Sequence, residues 1–89
     1  MKKIVVFGSQ HWPGCEPVKA LLLQNEIKFA YVEITQNMFA LKQFLKYRDK
    51  REEFDRIKNA GAVGIPCIVV DSEKFYFEDQ IEEFLESVK

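Results

Sequence analysis

The sequence predicts an α/β domain: a four-stranded mixed sheet in the order β-α-β-α(α)-β-β-α, with helices on both faces. Three observations predict it. A short β-branched run, Ile4-Val5-Val6-Phe7, is followed by a helical pattern and then by a second strand-like run. That is the spacing of a βαβ unit, whose strands are parallel and whose crossover is right-handed. A near-continuous apolar run, Gly64-Ile65-Pro66-Cys67-Ile68-Val69-Val70, reads as a strand buried on both faces and hence central. A polar turn, Asp71 to Lys74, joins it to Phe75-Tyr76-Phe77, so the last two strands form a hairpin. A sheet of this kind needs helices on each face to bury it.

The elements follow in chain order. The first strand spans about Lys3 to Gly8. The first helix spans about Cys15 to Asn25, with Val18, Leu21 and Leu22 at three- and four-residue steps and Asn25 as its stop. The second strand spans Lys28 to Ile34, because Phe29, Tyr31, Val32 and Ile34 favour extended backbone. Asn37 is an N-cap for a long helical region striped by Phe39, Leu41, Phe44, Leu45 and Tyr47. The stripe fades after Tyr47 and resumes at Phe54, Ile57 and Ala60. Asp49 with Glu52 three residues on reads as a capping box, so two helices or one kinked helix are expected, ending at Gly61. Pro66 sits near the start of its strand, where proline is tolerated. The chain closes on an amphipathic helix with Ile81, Phe84, Leu85 and Val88 on one face and Glu78 and Asp79 in its first turn.

At 89 residues the chain fits one domain, 1–89, with no repeat, linker or low-complexity segment. Net charge is -1, so the chain as a whole has no electrostatic pull towards nucleic acid or membranes. The charge is uneven: residues 42–58 are basic and residues 71–89 acidic. Both stretches read first as solvated helix faces; the part from Lys46 to Lys58 has a second reading, as a receiver for an acidic partner or a ligand carboxylate. The apolar run behind the two opening lysines is too short for a signal peptide or a membrane span, so a cytoplasmic protein is expected. Two cysteines in a reducing compartment leave redox chemistry or inert burial rather than a disulfide framework.

Cys15 is the residue that carries chemistry. It stands where a strand-following loop enters a helix, and free N–H groups and the helix dipole stabilise a thiolate there. Its alternative reading is a partly buried, inert thiol. Cys67 reads either as a second thiol pairing with Cys15 or as a small buried hydrophobe. His11 and Trp12 read as a base and an aromatic platform, or as exposed loop residues. One histidine and two distant cysteines lack the spacing of a metal site.

The segments Phe7-Gly8-Ser9, Trp12-Pro13-Gly14-Cys15, Tyr47-Arg48-Asp49, Arg51-Glu52-Glu53-Phe54-Asp55 and Gly61-Ala62-Val63-Gly64-Ile65-Pro66 stand together in register. In this the chain resembles the glutaredoxin family of the thioredoxin fold, and is most similar to small bacterial glutaredoxin-related proteins. The likeness covers essentially the whole chain. It departs at one position: Trp12 stands where the family's first, nucleophilic cysteine would be, and Cys15 takes the place of the second. Ser9 replaces a frequent lysine, and Phe77-Glu78 a frequent Gly-Gly. The resemblance implies a cis peptide at Pro66, a backbone contact from Ile65 to a thiol ligand, and an acidic contact from Asp79 to the amine of glutathione.

Three functions follow as expectations. The first is a thiol–disulfide oxidoreductase acting through Cys15 by a monothiol route, with glutathione as resolving co-substrate and no resident cofactor or metal. The second is a binding module that has lost the nucleophile and holds a peptide or thiol between Trp12, Cys15 and Pro66. The third is a sensor that switches by a Cys15–Cys67 disulfide. Expected partners are glutathione or protein disulfides, and the expected state is a monomer.

Overall fold

A computed structural model describes residues 3–88. Its sheet has the strand order β2-β1-β3-β4. Strand β1 (Ile4–Gly8) runs parallel to β2 (Ala30–Glu33) and antiparallel to β3 (Cys67–Val70), which pairs antiparallel with β4 (Lys74–Phe77). This is the thioredoxin-like fold that the sequence predicts. The helices are α1 (Cys15–Gln24), α2 (Met38–Lys50), α3 (Asp55–Asn59) and α4 (Ile81–Ser87). One-turn 3-10 segments, Glu52–Phe54 and Glu78–Gln80, lead into α3 and α4.

Side-chain alternation sorts the core into two layers. Phe7, Cys67, Val69, Phe75 and Phe77 face the layer that holds Phe44 of α2 and Phe54. Ile4, Val6, Ile68 and Val70 face the layer that holds Val18 and Leu22 of α1 and Phe84 of α4. Every residue of β3 is buried, as its unbroken apolar run requires.

Local chemistry sets the boundaries. The Asn37 side chain accepts from the Ala40 N–H and caps α2. Helix α3 ends as expected at Gly61, which has φ +70; the Ala62 N–H reaches Ile57 C=O and the Gly61 N–H reaches Lys58 C=O. The turn after β3 places Asp71 and Ser72 at positive φ, with the Glu73 N–H donating to Val70 C=O.

Three expectations are corrected. The helix does not break at Asp49, which lies inside α2; the extended residue is Arg51, so Asp49 and Glu52 form no capping box. The cause is Phe54. An unbroken helix turns about 100° per residue, which would carry Phe54 roughly 80° off the face that buries Phe44. Breaking at Arg51 instead brings Phe54 to within 5.8 Å of the Phe44 and Phe75 ring centroids and 4.9 Å of Phe77. Strand β2 starts at Ala30 rather than Lys28, with Ile27 and Phe29 packing as loop residues on the α1–α4 layer. Strand β3 starts at Cys67 rather than Gly64. Gly64 has φ +100, and a β-carbon there would crowd Phe54 and Ile57, so this stretch cannot extend the ladder.

Candidate functional site

The topology gathers four segments at one end of the sheet. β1 and β2 are parallel, so the loops after Gly8 and after Glu33 emerge together. Cys67 opens β3 opposite Phe7 and is paired with Phe77, the last residue of β4. The residues before β3 and after β4 therefore arrive at the same end.

A polar clamp shapes the loop after β1. Ser9 is buried, and its hydroxyl accepts from the His11 N–H at 3.1 Å and shares a hydrogen bond with the Thr35 hydroxyl at 2.9 Å. The Glu33 carboxylate accepts from the Gln10 N–H at 2.7 Å and from the Thr35 hydroxyl. Desolvation acts to raise the Glu33 carboxyl, but these hydrogen bonds outweigh it and hold the group below its ordinary range. The Trp12 N–H donates to Ser9 C=O and the Cys15 N–H to Trp12 C=O, which turns the chain into α1. Trp12 is left 42% exposed, and Cys15 is wholly buried.

Cys15 packs in the layer with Phe7 and Cys67. Its Sγ accepts from the Ser9 N–H at 3.4 Å. Gly8 makes the room: a β-carbon there would lie 2.6 Å from the Tyr31 hydroxyl and 3.0 Å from Cys15 Sγ. Burial pushes the Cys15 thiol up; the Ser9 N–H and the Tyr31 hydroxyl act against that, while Glu33 and Glu78 add to it. The helix start was expected to favour the thiolate, and burial reverses the sign. His11 is exposed and hydrogen-bonds Ser9 and Gln10, not Cys15. Cys67 is also buried, its thiol is pushed up by burial, and both cysteines are free thiols.

A groove of about 260 Å³ lies beside this loop. Four of the residues singled out in the sequence line it together: Trp12, Ile65, Pro66 and Asp79. The Ile65–Pro66 peptide is cis. Gly14 sits against the Glu78 carboxylate, with no room for a β-carbon. Pro13 is exposed and outside the groove lining, and Cys15 and Cys67 lie in the core rather than on its wall.

Sequence reasoning touched Arg56 only as part of the basic stretch Lys46 to Lys58, read as a receiver for an acidic partner or a ligand carboxylate, and Phe77 and Glu78 only as a replacement for Gly-Gly; all three line the same groove. Arg56 holds both Asp79 carboxylate oxygens, at 2.9 and 3.1 Å, and lies over the Phe77 ring at 5.2 Å. That guanidinium keeps the Asp79 carboxyl below its usual range. No local signal marks Arg56, one of several cations in a charged run whose partner is 23 residues away. A larger cleft of about 450 Å³, lined by Ile27, Leu85 and Val88, lies at the C-terminal end of α1 and shares no residue with the site. Among the described residues, no cluster of His, Cys, Asp or Glu is arranged to hold a metal ion, and no helix is long and apolar enough to cross a membrane.

Comparison with known proteins bears on the family of the fold. A glutaredoxin family model matches residues 4–75. An uncharacterized protein of Haemophilus influenzae is 34% identical over 70 residues, which cover 79% of this chain and 81% of that protein. The chain belongs to the glutaredoxin family.

Proposed function

We propose that this chain is a peptide- or thiol-binding module on the glutaredoxin scaffold, holding a cysteinyl ligand non-covalently in the groove between Trp12 and Pro66. The observation that carries this reading is the exchange of positions at the site. The residue offered to a ligand is an indole, and the nearby thiol is buried with its pKa raised. An aromatic face binds thioethers and peptide planes without forming a bond. Ile65 lies outside the ladder that begins at Cys67, so its backbone is the edge an extended ligand would pair with.

Trp12 is the one tryptophan of the chain, so its emission reports the groove directly. The test is titration with a cysteinyl tripeptide whose sulfur is methylated, so that no disulfide can form. A saturable change in Trp12 emission supports the reading. No change, together with rapid alkylation of Cys15 mapped by mass spectrometry, overturns it.

A second reading is thiol–disulfide exchange at Cys15. The observation that favours it is the Ser9 N–H at Sγ, 3.4 Å away, which would stabilise a thiolate once the sulfur is exposed. In that route the Cys15 thiolate attacks a disulfide, forms a mixed disulfide and releases one thiolate. A glutathione thiolate then attacks the mixed disulfide and regenerates Cys15. Turnover of a glutathione mixed disulfide that is lost in Cys15→Ser would establish it.

A further inference from the structure

A second surface groove of about 400 Å³ adjoins the one beside Trp12, shares Arg56 and Phe77 with it and lies along the turn that leads into α3. The charges lining the two grooves, together the trough, are lopsided. Glu78 and Asp79 line the first part, and Glu52, Glu53 and Asp55 line the second. Among the described residues, the lining has one cation, Arg56, and Asp79 already engages it through both oxygens. Glu53 is paired with Arg51, and Asp55 with Lys58.

Glu52 and Glu78 form no ion pair among the described residues, but Glu52 acts on the neighbouring Arg51, which leaves Glu78 as the unmatched carboxylate. Glu78 is the nearer to the proposed ligand, since its carboxylate rests against Gly14 in the loop that carries Trp12. The surrounding chain reads as basic, but Lys42, Lys46 and Lys50 lie on exposed positions of α2, and none of them lines the trough.

We infer that these two adjoining grooves select a basic, extended cysteinyl peptide over an acidic one. The inference rests on the peptide-binding reading above and names its ligand class. An unmatched carboxylate within about 4 Å of a ligand cation is worth roughly fivefold in affinity even in water. Glu78 alone, attracting a basic ligand and repelling an acidic one, gives a preference of about tenfold or more. Glutathione, with two carboxylates and one amine, falls on the disfavoured side.

The experiment uses two labelled, S-methylated pentapeptides, Arg-Gly-Cys-Gly-Arg and Glu-Gly-Cys-Gly-Glu. Binding is read by fluorescence anisotropy of the label and, separately, by Trp12 emission. The basic peptide is expected to bind at least about tenfold tighter. That preference should collapse in about 0.5 M salt, where the screening length is about 4 Å. It should also shrink in the double variant Glu52→Gln with Glu78→Gln, whose two positions are exposed and whose fold is checked by circular dichroism. Equal binding of both peptides with Trp12 responding overturns the charge selection and leaves the groove reading standing. A preference that survives unchanged in the double variant overturns the assignment to these carboxylates. Binding of neither peptide overturns both readings.

Discussion

Substituting Gly8 by alanine tests whether the thiol site is as tightly closed as its geometry indicates. The added β-carbon would meet the Tyr31 hydroxyl at 2.6 Å and Cys15 Sγ at 3.0 Å, both inside ordinary contact distance. The sulfur cannot retreat, because Cys15 is fully buried among Phe7 and Cys67. The hydroxyl is itself buried, at the end of a side chain whose ring carries the Lys19 ammonium at 4.2 Å, so relief needs the whole ring to shift. Overpacking of this kind costs about 1–3 kcal/mol. Gly8 has no positive φ, so alanine also recovers about 0.4–1 kcal/mol by restricting the unfolded chain. The net loss is about 1–2 kcal/mol, a fall of roughly 1 M in the urea midpoint for a chain of this size. Displacing the Tyr31 hydroxyl also removes an interaction that favours the Cys15 thiolate, so the thiol titrates at still higher pH, read from alkylation rate against pH. A midpoint that stays put or rises, with an unchanged alkylation profile, would refute this account of Gly8.

Truncating Phe54 to alanine removes a fully buried ring that contacts three others, and is expected to cost about 3–5 kcal/mol in urea unfolding. Asn37→Ala removes the cap on α2 and should cost about 0.5–2 kcal/mol, with Asn37→Ser restoring most of it. Stability should fall on the alkaline side. Cys15 and Cys67 hold their protons more tightly folded than unfolded, so their contribution is complete below the unfolded thiol value of about 8.5 and is lost as pH rises past it. On the acid side, Asp79 and Glu53 have carboxyls lowered by Arg56 and Arg51. Their contribution is present above the unfolded value of about 4 and is lost as pH falls through the folded one. Both pairs are largely exposed, so each contributes under about 1 kcal/mol. Urea midpoints measured across pH check both limbs.

The sheet was legible because its signals are local. A β-branched run, a helical period and a polar turn each announce themselves within ten residues, and their order leaves few topologies. The break before Phe54 was misplaced because Asp49 and Glu52 imitate a cap in sequence, whereas the break is set by where Phe54 must pack, and that depends on Phe75 and Phe77 from far along the chain. In the site, Trp12 and Pro66 could be read from motifs. Arg56 could not, because its role is a pairing with Asp79 that no spacing encodes. The sequence left Cys15 open between an exposed thiolate and a partly buried thiol for a related reason: the first position of a helix fixes the backbone, while the direction of the side chain depends on the cavity left by Gly8.

Two opposing effects meet at Cys15, and their sizes decide between them. A helix N-terminus favours an anion by about 0.3–1 kcal/mol, which is less than one pKa unit. Desolvation of a fully buried group can reach several units in the other direction. Burial therefore wins, in agreement with the raised thiol. Any chemistry at Cys15 must begin by exposing it, and the N–H that reaches its sulfur belongs to Ser9, at the start of the turn into α1. The clamp on that turn is the Ser9–Thr35–Glu33 network, which anchors it to the end of β2. On this argument, reactivity at Cys15 is expected to depend on hydrogen bonds some distance along the chain from the sulfur. Thr35→Val, which removes the hydroxyl that joins Ser9 to Glu33, should speed Cys15 alkylation at fixed pH more than it lowers global stability. An alkylation rate that tracks the loss in global stability and nothing more would show that the sulfur is reached by whole-molecule unfolding, and the turn would then not be the gate.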